Sequence, residues 1–222
     1  MSFRIVVLCM LLPLLASGQY FDNRLNLAVS GVVEFPIGIV EQDGISTLFS
    51  NYETGFGFSG YFEYKVTKKL YLGASFTSMN FSGSKVSDYP LTIEPSSAFN
   101  MYFVRAKYLL PGQKTRKGLL LNAILEIGMV DHKLSMKDLN IISMVPIDVS
   151  SLSYKESDFG ALFGVNAEYT INNIIAAYSQ LTYRFVHAEN VLYSDKSFQS
   201  FGLSLGFYFR LWQSNTTVYE YD

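Results

Sequence analysis

The residues best able to do chemistry are few. The chain has two histidines, His132 and His187, and one cysteine, Cys9. A histidine beside a serine and an acid supports acyl hydrolysis, because the imidazole takes the hydroxyl proton while the acid orients the ring. Ser135 follows His132 by three positions, and Glu189 follows His187 by two. Such sites are defined by geometry and not by chain order, and no nucleophile, base and oxyanion set is visible around either pair. The two histidines with Asp131 would give three metal ligands, but no second ligand pair of recognised spacing accompanies them. Neither histidine falls inside a strand-forming segment, so both read as solvated surface residues. The glycines at Gly55, Gly57, Gly202 and Gly206 sit within alternating segments and form no phosphate-cradling loop. No catalytic, cofactor-binding or metal-binding residue is assigned, and no enzyme activity or cofactor is expected.

What remains is the framework that would hold these groups. Met1 to Arg4 make a short positive start, Ile5 to Leu15 an apolar run, and Ala16-Ser17-Gly18 a small-residue cleavage site. This reads as a secretory signal over residues 1–18. The alternative, a transmembrane helix, is disfavoured because the run is shorter than the roughly 20 residues a bilayer requires and Pro13 interrupts it. Cys9 lies within the run and not after a small residue at its end, which argues against lipoprotein attachment. The exported chain then has no thiol, hence no disulfide. Losing Arg4 leaves 16 basic and 19 acidic residues, a formal charge of −3. No basic stripe suggests a nucleic-acid partner.

Aromatics are 16% of the chain and charged residues only 16%, a balance that suits strands. Eight segments alternate with period two, the spacing at which neighbouring strand side chains point to opposite faces. In one of them Phe56, Phe58, Gly60, Phe62 and Tyr64 oppose Gly57, Ser59, Tyr61, Glu63 and Lys65. In the last, Phe201, Leu203, Leu205, Phe207 and Phe209 oppose Gly202, Ser204, Gly206, Tyr208 and Arg210. The others begin near Leu25, Leu70, Met101, Leu119, Asp158 and Ala177. Across all eight, the apolar face carries no charge, while the other face collects Gly, Ser, Asn, Thr, Tyr and every strand charge. A charge facing lipid near the midplane costs about 2–4 kcal/mol in membrane barrels, so lipid would enforce this asymmetry. Open sheet edges are not tolerated in a bilayer, so the sheet must close. Short turns at Thr67 to Lys69 and Asn172-Asn173, and a moderate one at Leu110 to Gly118, alternate with long polar links at 36–54, 82–97, 131–156 and 188–197. The expected fold is an all-β, eight-stranded antiparallel up-and-down transmembrane β-barrel over residues 19–212, with a short periplasmic tail over 213–222.

An eight-stranded barrel is filled by its own side chains. The inferred lumen holds Glu34, Glu63, Glu126, Asp158 and Glu168 with Lys65, Arg105, Lys107, Arg184 and Arg210. Five acids and five bases suggest a mutually paired structural plug; a proton or ion path along the same column is the alternative. A soluble lipocalin-like barrel shares the strand count, but there the uncharged face would point inward. The 131–156 link, with Ile141, Ile142, Met144 and Val145, reads as a hairpin extending the strands, or as a binding surface.

The final strand, Ser200 to Trp212, resembles the aromatic-ending terminal strand of outer-membrane barrels. Together with Thr67 to Gly73 and Tyr102 to Tyr108, it makes residues 20–212 similar to Bacteroidetes-type outer-membrane β-barrel-domain proteins, architecturally like OmpA/OmpX barrels. The resemblance implies the outer membrane of a Gram-negative-type bacterium, outer-membrane lipid as surroundings, and insertion by the barrel-assembly machinery. The function expected is a structural or interaction role through extracellular loops, with an envelope or extracellular protein as partner. A narrow pore or secretion accessory is the first alternative and a lipid-modifying enzyme the second.

Overall fold

The structure, a computed structural model, describes residues 25–37, 53–83, 86–88, 91–111, 119–137, 152–172, 174–187 and 197–211. The signal region, Trp212, the C-terminal tail and the apolar residues Ile141, Ile142, Met144 and Val145 lie outside the described residues.

Among the described residues nine strands follow in chain order: β1 Leu25–Pro36, β2 Gly55–Lys65, β3 Leu70–Ser82, β4 Val86–Asp88, β5 Leu91–Leu109, β6 Leu119–Lys137, β7 Leu152–Thr170, β8 Ile175–His187 and β9 Ser197–Arg210. Eight of them form the barrel. The ladder runs β3-β2-β1-β9-β8-β7-β6-β5, every pairing is antiparallel, and β3 pairs with β5. The sheet is therefore closed. The seam is β1 against β9, from Asn26↔Arg210 to Pro36↔Ser200. The short strand β4 pairs only with the start of β5.

The alternation read from the sequence fixes which side of each strand faces in. Leu205, Val29, Phe163 and Val104 are all more than half exposed, whereas Glu63 and Arg105 are at most 1% exposed. Charge is inside and hydrocarbon outside. This removes the lipocalin-like reading, which needs the apolar face turned inward. Two inward glycines are required by close backbone approach. A Cβ on Gly73 would collide with the Phe62 carbonyl, and one on Gly206 with the Val29 carbonyl.

The strands depart from expectation in length. β5, β6 and β7 each run 19 residues, against 11 to 14 for the other five. The stretches 82–97 and 131–156, expected as polar links, are partly strand. β3 continues to Ser82, β4 and β5 make a hairpin, β6 reaches Lys137, and β7 begins at Leu152. About 9–11 residues suffice to cross a membrane, so roughly 8 residues of each long strand, about 25 Å along it, are surplus. The surplus lies at the end of the long connections, called the upper end below. There the outward residues beyond the last apolar pair, Met129↔Phe159, include Asp131, Lys133, Lys155 and Ser157. The polar face that ended the sequence pattern at this point is the same sheet continuing above the oily belt.

Candidate functional site

The lumen is layered. In its lower half Arg105 is fully buried and reaches four other strands. Its Nε donates to Glu63 Oε1 at 2.7 Å and its Nη1 to Glu126. Its Nη2 donates to Gln180 Oε1 at 3.0 Å and to Tyr208 Oη at 3.2 Å. Its guanidinium lies 4.0 Å over the Tyr61 ring. Ser75 Oγ donates to Glu126 at 2.8 Å, and Tyr208 Oη donates to Glu63 at 3.2 Å. Lys107 Nζ sits 2.5 Å from Glu63, 3.6 Å from Glu168 and 4.1 Å over the Tyr208 ring. Arg210 Nη2 closes the chain on Glu168 at 3.0 Å and Thr170 at 3.1 Å. Charges taken out of water are costly unless paired, and each of these lies against a charge of opposite sign.

Glu34 and Arg184 form a separate buried ion pair nearer the upper end, where Ser200 Oγ also donates to Glu34 at 3.0 Å. Eight of the ten lumenal charges read from the sequence thus meet in two clusters. Asp158 points inward from the upper part of β7, and Lys65 is half-exposed at the lower rim.

The upper layer is apolar, and sequence reasoning missed it. Phe81, Phe99 and Phe198 pack with centroids 5.0 to 5.4 Å apart. Met79, Met101, Val130 and Val186 belong to the same cluster. The clue was the inward parity itself: Ser75 and Thr77 are followed on the same face by Met79 and Phe81, so the lumen face changes from polar to apolar.

His132, expected as a solvated surface residue outside any strand, is instead buried within β6. Its ring stacks on Phe99 at 4.4 Å and 9°, and its Nε2 lies 3.1 Å from Ser97 Oγ. The reason is the unforeseen length of β6, which carries the inward face up to this position. The predicted neighbour Ser135 is not the one it meets: Ser135 faces outward, while Ser97 comes from β5. Because Asp131 and Lys133 flank it on the outward face, His132 lies above the belt. Burial pushes its imidazole down to about 4.

The neutral ring is therefore kept in the folded barrel while the unfolded chain protonates below the ordinary value near 6.5. Stability is complete above that value and falls as pH drops toward 4, by about 3 kcal/mol in all. An NMR titration should find His132 neutral at pH 5, and His132→Leu should flatten this part of the stability profile. Protonation of His132 near pH 6.5 would refute the placement.

The Ser97–His132 pair is sealed behind aromatic rings, and no three of His, Cys, Asp and Glu converge as metal ligands among the described residues. An open depression at the upper rim, lined by Phe35, Pro36, Glu53, Thr54 and Phe56, presents one ionisable group.

Closure, eight antiparallel strands and an uncharged outer belt around a charged interior define the class: an up-and-down β-barrel whose polarity is the reverse of a water-soluble one. The sequence matches no known family and no curated protein. Among solved structures, the barrel is similar to Neisserial surface protein A (13% identity, TM-score 0.48, 84% of this chain and 97% of that one). It is also similar to the attachment invasion locus protein of Yersinia pestis (12%, 0.46, 85% and 100%). A third is a major outer membrane protein from Thermus thermophilus (12%, 0.48, 83% and 98%).

Proposed function

We propose that this chain is an outer-membrane barrel that conducts nothing and serves as a rigid post for a surface-exposed recognition sheet. The membrane part of this reading is supported by the belt: Leu205, Val29, Val104, Phe163 and their outward neighbours expose hydrocarbon that water would penalise. The non-conducting part is supported by the lumen, where ion pairs fill one half and closely packed phenylalanines the other. A continuous water column has no room there.

The observation that carries the recognition role is the protruding β4–β5–β6–β7 sheet. Residues 152–158 of β7 pair with β6 on one side, and no described strand pairs with them on the other, since the β8 ladder begins only at Phe159↔His187. An exposed sheet edge is a template for an extended segment of a protein partner, with main-chain hydrogen bonds supplying affinity.

Two measurements test the reading. Planar-bilayer recording of the reconstituted barrel is expected to show no unitary conductance. A photo-crosslinker placed at Ser157 in living cells is expected to capture a protein that one placed at Leu205 does not. Steady conductance steps, or identical adducts from both positions, would refute it.

A further inference from the structure

A second concentration of charge lies outside the lumen, at the lower rim. The turn joining β2 to β3 carries Lys65, Lys68 and Lys69 within five residues; Lys68 and Lys69 are exposed and Lys65 is half-exposed. The turn is held in one shape. Val66 and Thr67 N–H groups donate to the Leu70 carbonyl at 2.9 and 3.2 Å. Thr67 Oγ1 accepts from the N–H groups of Lys69 at 3.3 Å and Leu70 at 3.0 Å. The neighbouring Leu109 N–H donates to the Lys69 carbonyl at 2.8 Å. The connection that starts there adds Lys114, Arg116 and Lys117 and no acid in its sequence.

Among the described residues no acidic side chain is exposed on the lower rim, and the buried acids nearest it, Glu63 and Glu168, are engaged by Arg105, Lys107 and Arg210. Directly beside the turn, Val66 is 46% exposed and Tyr108 42%. The ammonium groups therefore stand one or two residues from the edge of the belt, at the level where hydrocarbon gives way to headgroups. Lysine stems lie readily along apolar surface with the charge directed to such an interface.

We propose that the β2–β3 turn binds the phosphates of anionic phospholipid headgroups, with Lys68 and Lys69 as the principal contacts and Lys65 beside them. The proposal rests on the membrane-spanning reading above. A cation held at an anionic membrane surface favours binding about fivefold, so two contacts give about 25-fold.

The test uses the full mature chain in nanodiscs of phosphatidylglycerol and phosphatidylcholine at 1:3, followed by native mass spectrometry of the lipid retained on release. Retention of phosphatidylglycerol over phosphatidylcholine is expected to exceed the input ratio about 25-fold. It should fall toward the input ratio in K68Q/K69Q, persist in K68R/K69R, and shrink in high salt as the charges are screened. Equal retention in the wild type and K68Q/K69Q would overturn the headgroup site. Enrichment that appears only after residues 213–222 are removed would also overturn it, by assigning the turn to the chain's own Glu220 and Asp222. Failure to enter discs of either lipid would instead defeat the membrane reading, and the headgroup site with it.

Discussion

Replacement of Arg105 by methionine is expected to lower the unfolding free energy by about 3–5 kcal/mol, the cost of removing one partner from a buried ion cluster. Arg105 ties β5 to β2, β6, β8 and β9 through Glu63, Glu126, Gln180 and Tyr208. Without it Glu126 keeps only the Ser75 hydroxyl, and a carboxylate in a dry lumen with one neutral donor is strongly penalised. Replacing both charges by apolar residues of similar volume removes that penalty, so R105M/E126L should recover more than half of the loss. Arg210 supplies the contrast. It is partly exposed, and Glu168 keeps Lys107 when it is removed, so Arg210→Met should cost no more than about 1 kcal/mol. Urea unfolding from lipid vesicles, read by the heat-dependent gel shift, separates these cases. An Arg105→Met barrel as resistant as the wild type would remove the cluster from any structural role.

Leu205→Arg is expected to cost about 2–4 kcal/mol in a bilayer, because Leu205 is 62% exposed midway along the outward face of β9. The same change at Leu211, just beyond the end of β9, should cost about 0–1 kcal/mol, since the penalty falls toward the interfaces. The depth dependence is the decisive part. On a water-facing strand both substitutions would lie within about 0.5 kcal/mol of neutral. Equal, small effects at the two positions would show that water and not lipid covers the belt.

Much of this architecture was legible because period two is a strong constraint. Once Phe58 and Phe62 are placed outward, Ser59, Tyr61 and Glu63 have to point inward, and the same parity puts Arg105, Lys107, Glu126 and Arg210 in the lumen. Legibility failed where the environment changes along a single strand. Above Met129 the outward face becomes polar, and above Thr77 the inward face becomes apolar. Contrast between the two faces therefore fades or reverses although the strand continues. That is why the sequence pattern ends β5, β6 and β7 too early, hides the Phe81, Phe99 and Phe198 layer, and puts His132 at the surface. Pairing partners within the lumen were not readable either. Glu63, Arg105 and Tyr208 meet only because strand tilt and closure bring β2, β5 and β9 to one level, and neither is written in local sequence.

The seam has a last consequence. Leu211 N–H donates to the Leu25 carbonyl at 3.0 Å, so the barrel's first and last residues are already neighbours. The order in which the chain visits its eight strands is then a matter of where it is cut, not of what holds it together. A circular permutant, with the old ends joined and new ones opened in an upper connection, would keep every ladder and every lumenal contact. What it would change is the pairing of greatest sequence separation, now Asn26 with Arg210, and with it the loop that must close last when the barrel assembles.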